Sequence, residues 1–243
     1  MSASEPVVDL RQIYKYHYTD EVETTAINGL DLRIDPGEFV AIMGPSGSGK
    51  STLLNLLGLI DEPSRGQYFF RGQEVTQMNR RQRADLRKRH MAFIFQSFNL
   101  IDELTAFENV ELPLRYLGVG RRERTERVDM ALAELEMAHR SGHYPYQLSG
   151  GQQQRIAIAR AIVTRPDLIL ADEPTGNLDS VNSEKVMDKI SGLHEQGATI
   201  VMVTHSPEDA ARAGRIVELY DGMPVLFERD HLSPNSPTPQ TNA

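Results

Sequence analysis

The sequence predicts an α/β fold: a mostly parallel sheet covered on both faces, an antiparallel β portion beside it, and a helical lobe inserted between two core strands. Three observations carry this. Compact apolar runs, "EFVAIMG" (38–44), "DLILAD" (167–172) and "ATIVMVTH" (198–205), suit strands buried on both faces. Helical patterns separate them, and strand, helix, strand order implies parallel pairing. The N-terminal part instead alternates or carries aromatics between turn residues, as antiparallel strands do.

In chain order, "VVDLRQIYKYHY" and "TTAINGLDLRI" read as antiparallel strands, "EFVAIMG" as a core strand and "KSTLLNLLGLI" as the helix after it. "GQYFFRGQEV" returns to antiparallel β. The run "RRQRADLRKRH" (80–90) reads as a solvated basic helix face. "FIFQSFNL" begins with a further apolar strand, and residues from about 98 to 165, with "RTERVDMALAELEMA" and "QQQRIAIARAIV", read as the helical lobe. "SEKVMDKISGLHEQ" supplies the helix between the last two core strands. One domain is expected over 1–229, and the polar, proline-rich 230–243 is expected to be a disordered tail.

Composition narrows the chemistry. With 243 residues, 40% of them hydrophobic, the chain can bury a sizeable core. It has no cysteine, which removes disulfides, thiolate metal sites and cysteine nucleophiles. A net charge of −8 argues against a nucleic-acid partner. "MSASEPVVDLRQ" lacks the pattern of a secretory signal, and no apolar run approaches the ~20 residues that cross a bilayer. A cytoplasmic chain is expected, with any membrane role exercised through a partner.

The motif "GPSGSGKST" (44–52) fits G-x-x-x-x-G-K-[ST] between an expected strand and an expected helix, the context a phosphate cradle requires. Gly44, Gly47 and Gly49 let the backbone curl so that N–H groups of Gly44, Pro45, Ser46, Gly47, Ser48, Gly49, Lys50, Ser51 and Thr52, proline excepted, can converge on an anion at the helix start. Lys50 would reach the β- and γ-phosphates of ATP, and the Ser51 hydroxyl would ligate Mg2+. "LILADEP" (168–174) ends a buried strand with two acids: Asp172 would hold Mg2+ through its water shell and Glu173 would polarise an attacking water. His205 ends the strand "TIVMVTHS" and could touch the γ-phosphate. Gln96 ends another and can contact water and Mg2+. Four strand ends thus deliver polar groups to one side of one sheet.

The ordered set "GPSGSGKST", Gln96, "LSGGQ" (148–152), "LILADEP", "NLD" (177–179) and His205 resembles the nucleotide-binding subunit of ATP-binding cassette transporters over about residues 8 to 228. The resemblance implies a P-loop NTPase fold with a RecA-like core, an antiparallel β portion and a helical signature lobe. It also implies a head-to-tail homodimer sandwiching two ATP. In that dimer Ser149, Gly150, Gly151 and Gln152 of one chain would cover the γ-phosphate held by Lys50 of the other, and Asp179 would communicate across the interface. The family stacks an aromatic ring on adenine, and here an ungapped count places His17 at that position, with Tyr16 and Tyr18 beside it and Tyr14 nearby.

The longer segments most resemble the branch serving lipoprotein release, macrolide or peptide export, and cell-division signalling. That branch implies four-helix permeases as partners, a periplasmic adaptor reached through the permease, and a location on the cytoplasmic face of the inner membrane. Phe98, Leu100, Leu104 and Phe107 would line the groove for a permease's coupling helix. A regulatory ATPase that gates a membrane partner without transport is the alternative, and a soluble cassette of translation or repair is a further one that the single-cassette architecture disfavours.

Overall fold

The computed structural model describes residues 5–18 and 23–227. The expected tail and the last residues of the expected domain, 228–243, lie outside them.

Alternation within each apolar strand decides the architecture. In β3 (Phe39–Met43), Phe39 and Ala41 face one side of the sheet and Val40 and Ile42 the other, and all four are buried. β7 (Leu168–Asp172) and β8 (Ile200–Val203) divide in the same way, so two cores form, one per face. The sheet has the order β10-β9-β3-β8-β7-β6, with β6 at Met91–Phe95, β9 at Arg215–Tyr220 and β10 at Met223–Phe227. Its pairs are parallel from β9 through β6. Consequently β3, β8, β7 and β6 all end at the same edge, the side on which open α/β sheets bind ligands.

On one face, α1 (Lys50–Leu57) is packed between this sheet and a smaller antiparallel sheet, where Leu53, Leu54, Leu56 and Leu57 fill the space. The small sheet has the order β2-β1-β4-β5, from β1 (Val8–Tyr18), β2 (Glu23–Ile34), β4 (Arg65–Phe70) and β5 (Gln73–Glu74). On the other face lie α6 (Ser180–Glu195) and α3 (Ala106–Tyr116), α4 (Arg121–Glu134) and α5 (Gly150–Ile162), the last three entering the chain between β6 and its neighbour β7.

Two local features depart from the sequence expectation. The edge hairpin β9–β10 turns through Asp221 (φ 47°) and Gly222 (φ 74°), a left-handed pair that closes a two-residue turn. The basic run forms α2 (Arg80–His90), started by a capping box between Asn79 and Gln82, but its face is not simply solvated. Arg83 is buried, donates to the Met78 carbonyl and pairs with Glu62, while Arg87 donates to the Leu59 carbonyl. Those cations are consumed in anchoring α2 to the loop after α1.

The helical lobe is tied together by two buried polar residues. Asn109 exchanges hydrogen bonds with the backbone of Ile101, Leu104 and Thr105, which clamps the loop leading into α3. Glu111 accepts from Arg115 at 2.6 Å and from Arg124 of α4 at 2.8 Å.

Candidate active site

The glycine loop leaves β3 and enters α1 with backbone angles that exclude side chains. A Cβ on Gly44 (φ 147°) would lie 2.3 Å from the Leu219 carbonyl oxygen, and one on Gly49 (φ 99°) 2.3 Å from that of Ala26. Gly49 is also the N-cap of α1 and supplies no side-chain acceptor, so the first turn keeps donors for an external anion. Lys50 is buried and donates from Nζ to the carbonyls of Gly44 (2.9 Å) and Pro45 (2.8 Å), which holds the ammonium over the loop. Burial pushes its pKa down, against the opposing pull of Glu173 and Asp172. The Ser48 hydroxyl is buried without a hydrogen-bond partner among the described residues. Pro45, Ser46, Gly47 and Ser51 are exposed, and Thr52 is partly so. A backbone curl with free donors, a fixed cation and an orphan hydroxyl fits a phosphate chain.

Across the sheet edge, β7 delivers Asp172 and Glu173. The Asp172 carboxyl is raised from its ordinary range by burial and then by the charge of Glu173, with Lys50 acting against both. Glu173 adopts a left-handed backbone (φ 45°), uncommon for a non-glycine residue, with its N–H bound to the Val203 carbonyl at 2.9 Å. That twist sends its carboxylate toward the end of β8, where Oε1 meets Nε2 of His205 at 2.8 Å. The two loops that carry them are joined below by a buried bond from Thr175 Oγ1 to Asp209 Oδ2 (2.6 Å).

Gln96 follows β6 at the same edge. Its Nε2 donates to Asn177 Oδ1 at 3.2 Å, and Asn177 Nδ2 returns a bond to the Gln96 carbonyl at 3.1 Å. Asn177 opens the "NLD" motif, but its pairing with Gln96 was not foreseen; nothing in the spacing from Gln96 announces a partner 81 positions away. Gly176 makes room for this contact, since a Cβ there would stand 2.6 Å from Gln96 Nε2.

The structure keeps a second group of predicted residues apart from the glycine loop. Ser149 is the N-cap of α5, with the Gln152 N–H directed to its Oγ and its own N–H directed to Gln152 Oε1 at 3.0 Å. Gln152 is thus engaged as half of a capping box. Gly150 lies beside Leu178 and Phe98, and Gly151 permits close approach of Asn182. Asp179 caps α6 by accepting from the Asn182 N–H at 2.9 Å and its amide at 2.7 Å. All of these face one exposed rim at the junction of the lobe and α6.

The aromatic cluster on β1 divides. Tyr16 stacks on Tyr14 at 6.3 Å between ring centroids, with the Arg65 guanidinium 6.0 Å from its ring, and His17 is exposed. The Tyr18 side chain lies outside the described residues. Near Gln96, Phe98, Leu100, Leu104 and Phe107 are all half-buried, and Leu100 and Phe107 rest their inner sides on the lobe core. A groove beside them, about 430 Å3, is lined by Phe93, Phe95, Pro113 and Tyr116 together with the cationic Arg87, Lys88 and Arg160. No helix among the described residues is long and apolar enough to cross a membrane.

Comparison with known proteins locates these features. A family model described as ABC transporter matches residues 27–176. The chain is 50% identical over 219 residues to the macrolide export ATP-binding/permease protein MacB 2 of Aeromonas hydrophila, covering 90% of this chain and 34% of that protein. It therefore spans about a third of the length of the MacB relatives it matches. It is 46% identical over 216 residues to an uncharacterized ABC transporter ATP-binding protein, MJ1508, of Methanocaldococcus jannaschii, covering 89% of this chain and 96% of that one. Among solved structures, the dimeric bacterial ABC transporter cassette MJ0796 aligns with a TM-score of 0.82 at 42% identity, over 89% of this chain and 96% of that chain. Its post-hydrolysis dimer bound to ADP and Pi aligns equally well.

Proposed function

Because the chain belongs to the ABC transporter family, we propose that it is an ATP-hydrolysing cassette that dimerises on Mg-ATP and drives a four-helix permease for export, lipid or lipoprotein extraction, or mechanotransmission. The observation that carries this reading is the Glu173–His205 contact at the sheet edge shared with the Lys50 cradle. Lys50 and the Gly44–Thr52 backbone hold the phosphates. Ser51, Gln96 and Asp172 would hold Mg2+, which when bound would offset the negative charge of the phosphates. Glu173 takes the proton of a water whose oxygen attacks the γ-phosphorus; the bond to the β-phosphate bridging oxygen breaks and leaves ADP with that electron pair. His205 holds Glu173 in line. Tyr16, His17 or Tyr18 stacks on adenine.

Ser149, Gly150, Gly151 and Gln152 complete the site of a second copy, with Asp179 at the same interface. The exposure of Ser149 and Asp179 on one rim supports this, since the Ser149 hydroxyl stands at the N-terminus of α5, where an anion is favoured. A coupling helix of the permease docks on the half-exposed Phe98, Leu100, Leu104 and Phe107 beside Gln96, so that the chain works at the cytoplasmic membrane face, and a periplasmic adaptor joins through the permease. The test is sedimentation of the Glu173→Gln variant with and without Mg-ATP. A nucleotide-dependent dimer is expected; a monomer at saturating ATP would overturn the sandwich. Reconstitution with a permease in vesicles, followed by ATP-dependent substrate movement, separates transport from gating.

A further inference from the structure

Helix α5 grips the opposite strand ends from its buried side. Gln154, fully buried one turn beyond Ser149, donates from Nε2 to the Pro174 carbonyl at 2.6 Å and to the Phe95 carbonyl at 3.3 Å. Phe95 immediately precedes Gln96, and Pro174 immediately follows Glu173. Further along the same helix, Arg160 directs its two terminal nitrogens to the carbonyls of Phe98 (2.8 Å) and Asn99. Those residues occupy consecutive left-handed conformations, φ 58° and 49°, uncommon for non-glycine residues and rarer still in succession for a bulky phenylalanine. Arg160 has no carboxylate partner among the described residues, so its fork is committed to this strap.

From this geometry we infer that Gln154 and Arg160 are positioning residues, which bind the Gln96 strap and the Glu173 loop to the helix whose N-terminus is Ser149, so that displacement of that end is felt at the chain's own Gln96 and Glu173. The strap is held before Gln96 by Gln154 and after it by Arg160. A shift of α5 carries both anchors together. The inference rests on the hydrolytic reading above, in which Gln96 and Glu173 act on nucleotide.

The experiment is a double-mutant cycle on ATP turnover by the full chain, with kcat and KM determined separately for Arg160→Met, Gln96→Ala and the pair. Arg160→Met is expected to lower kcat by about ten- to a hundredfold, the scale of a small misplacement of reacting groups, with KM for ATP within about twofold of wild type. Acting through Gln96, it adds nothing further on the Gln96→Ala background. Gln154→Met, similar in volume but without the amide donor, is expected to show the same split of kcat from KM. Losses that simply add, a raised KM with kcat kept, or wild-type turnover in Arg160→Met would overturn the inference. If Arg160→Met melts below the assay temperature, Arg160→Lys, which keeps charge but cannot fork to two carbonyls, takes its place under the same criteria. Wild-type turnover in both Glu173→Gln and Gln96→Ala would instead overturn the hydrolytic reading.

Discussion

Nε2 of His205 lies 2.8 Å from Oε1 of Glu173, joining the ends of two adjacent parallel strands. His205 fixes a carboxylate already turned by a left-handed backbone, so orientation of the base is divided between main chain and imidazole. Glu173→Gln keeps the shape and the contact but cannot accept a proton. Steady-state turnover is expected to fall by roughly 10²- to 10⁴-fold with nucleotide binding retained. Turnover near wild type would remove Glu173 from the role of base.

Lys50 is held on two loop carbonyls before any phosphate arrives, so its ammonium is prepositioned over the cradle. Lys50→Ala removes a charge-assisted contact of about 1.5–3 kcal/mol, which predicts ATP affinity weaker by about ten- to a hundredfold in equilibrium dialysis. Unchanged affinity would count against the cradle.

Ser149 caps its own helix, yet its hydroxyl proton and the exposed rim around it remain for a second copy. Mixing Ser149→Arg chains with Lys50→Ala chains leaves one composite site intact in each heterodimer. ATP-dependent association, absent from either variant alone, is expected in the mixture. Its complete loss there would argue against contribution in trans.

Glu111 reports on the lobe. Burial acts to raise its carboxyl, but the hydrogen bonds and charges of Arg124 and Arg115 prevail and leave it below its ordinary value of 4.5. A depressed folded value stabilises the fold above the unfolded pKa, and this contribution disappears as pH falls through the folded one. Glu111→Gln is therefore expected to cost about 1.5–3 kcal/mol at pH 7, the scale of a charged hydrogen bond, with the gap to wild type narrowing below about pH 4.5 in thermal melts. A gap constant from pH 7 to 3 would show that the ion pair contributes nothing.

The α/β class, the core strands that lead to Gly44, Gln96, Asp172 and His205, and the helices α1, α4, α5 and α6 were legible in the sequence. Burial on both faces leaves a continuous apolar run, and the end of such a run marks the sheet edge. The β9–β10 hairpin was also written locally, in the Asp221–Gly222 turn, although the alternation around it passed unread. The burial of Arg83 was not written there, because a basic helix is solvated or anchored according to what the fold sets against it.

What only the tertiary structure decided were relationships between residues far apart in the chain. Asn177 meets Gln96 across 81 positions, Gln154 reaches the Phe95 carbonyl across 59, and Arg160 reaches that of Phe98 across 62. The motifs determined which chemical groups arrive at the edge, since residue type and strand period are local properties. How those groups are held depends on carbonyls and amides that every residue carries, and only the packing of α5 against β6 and β7 selects which of them meet.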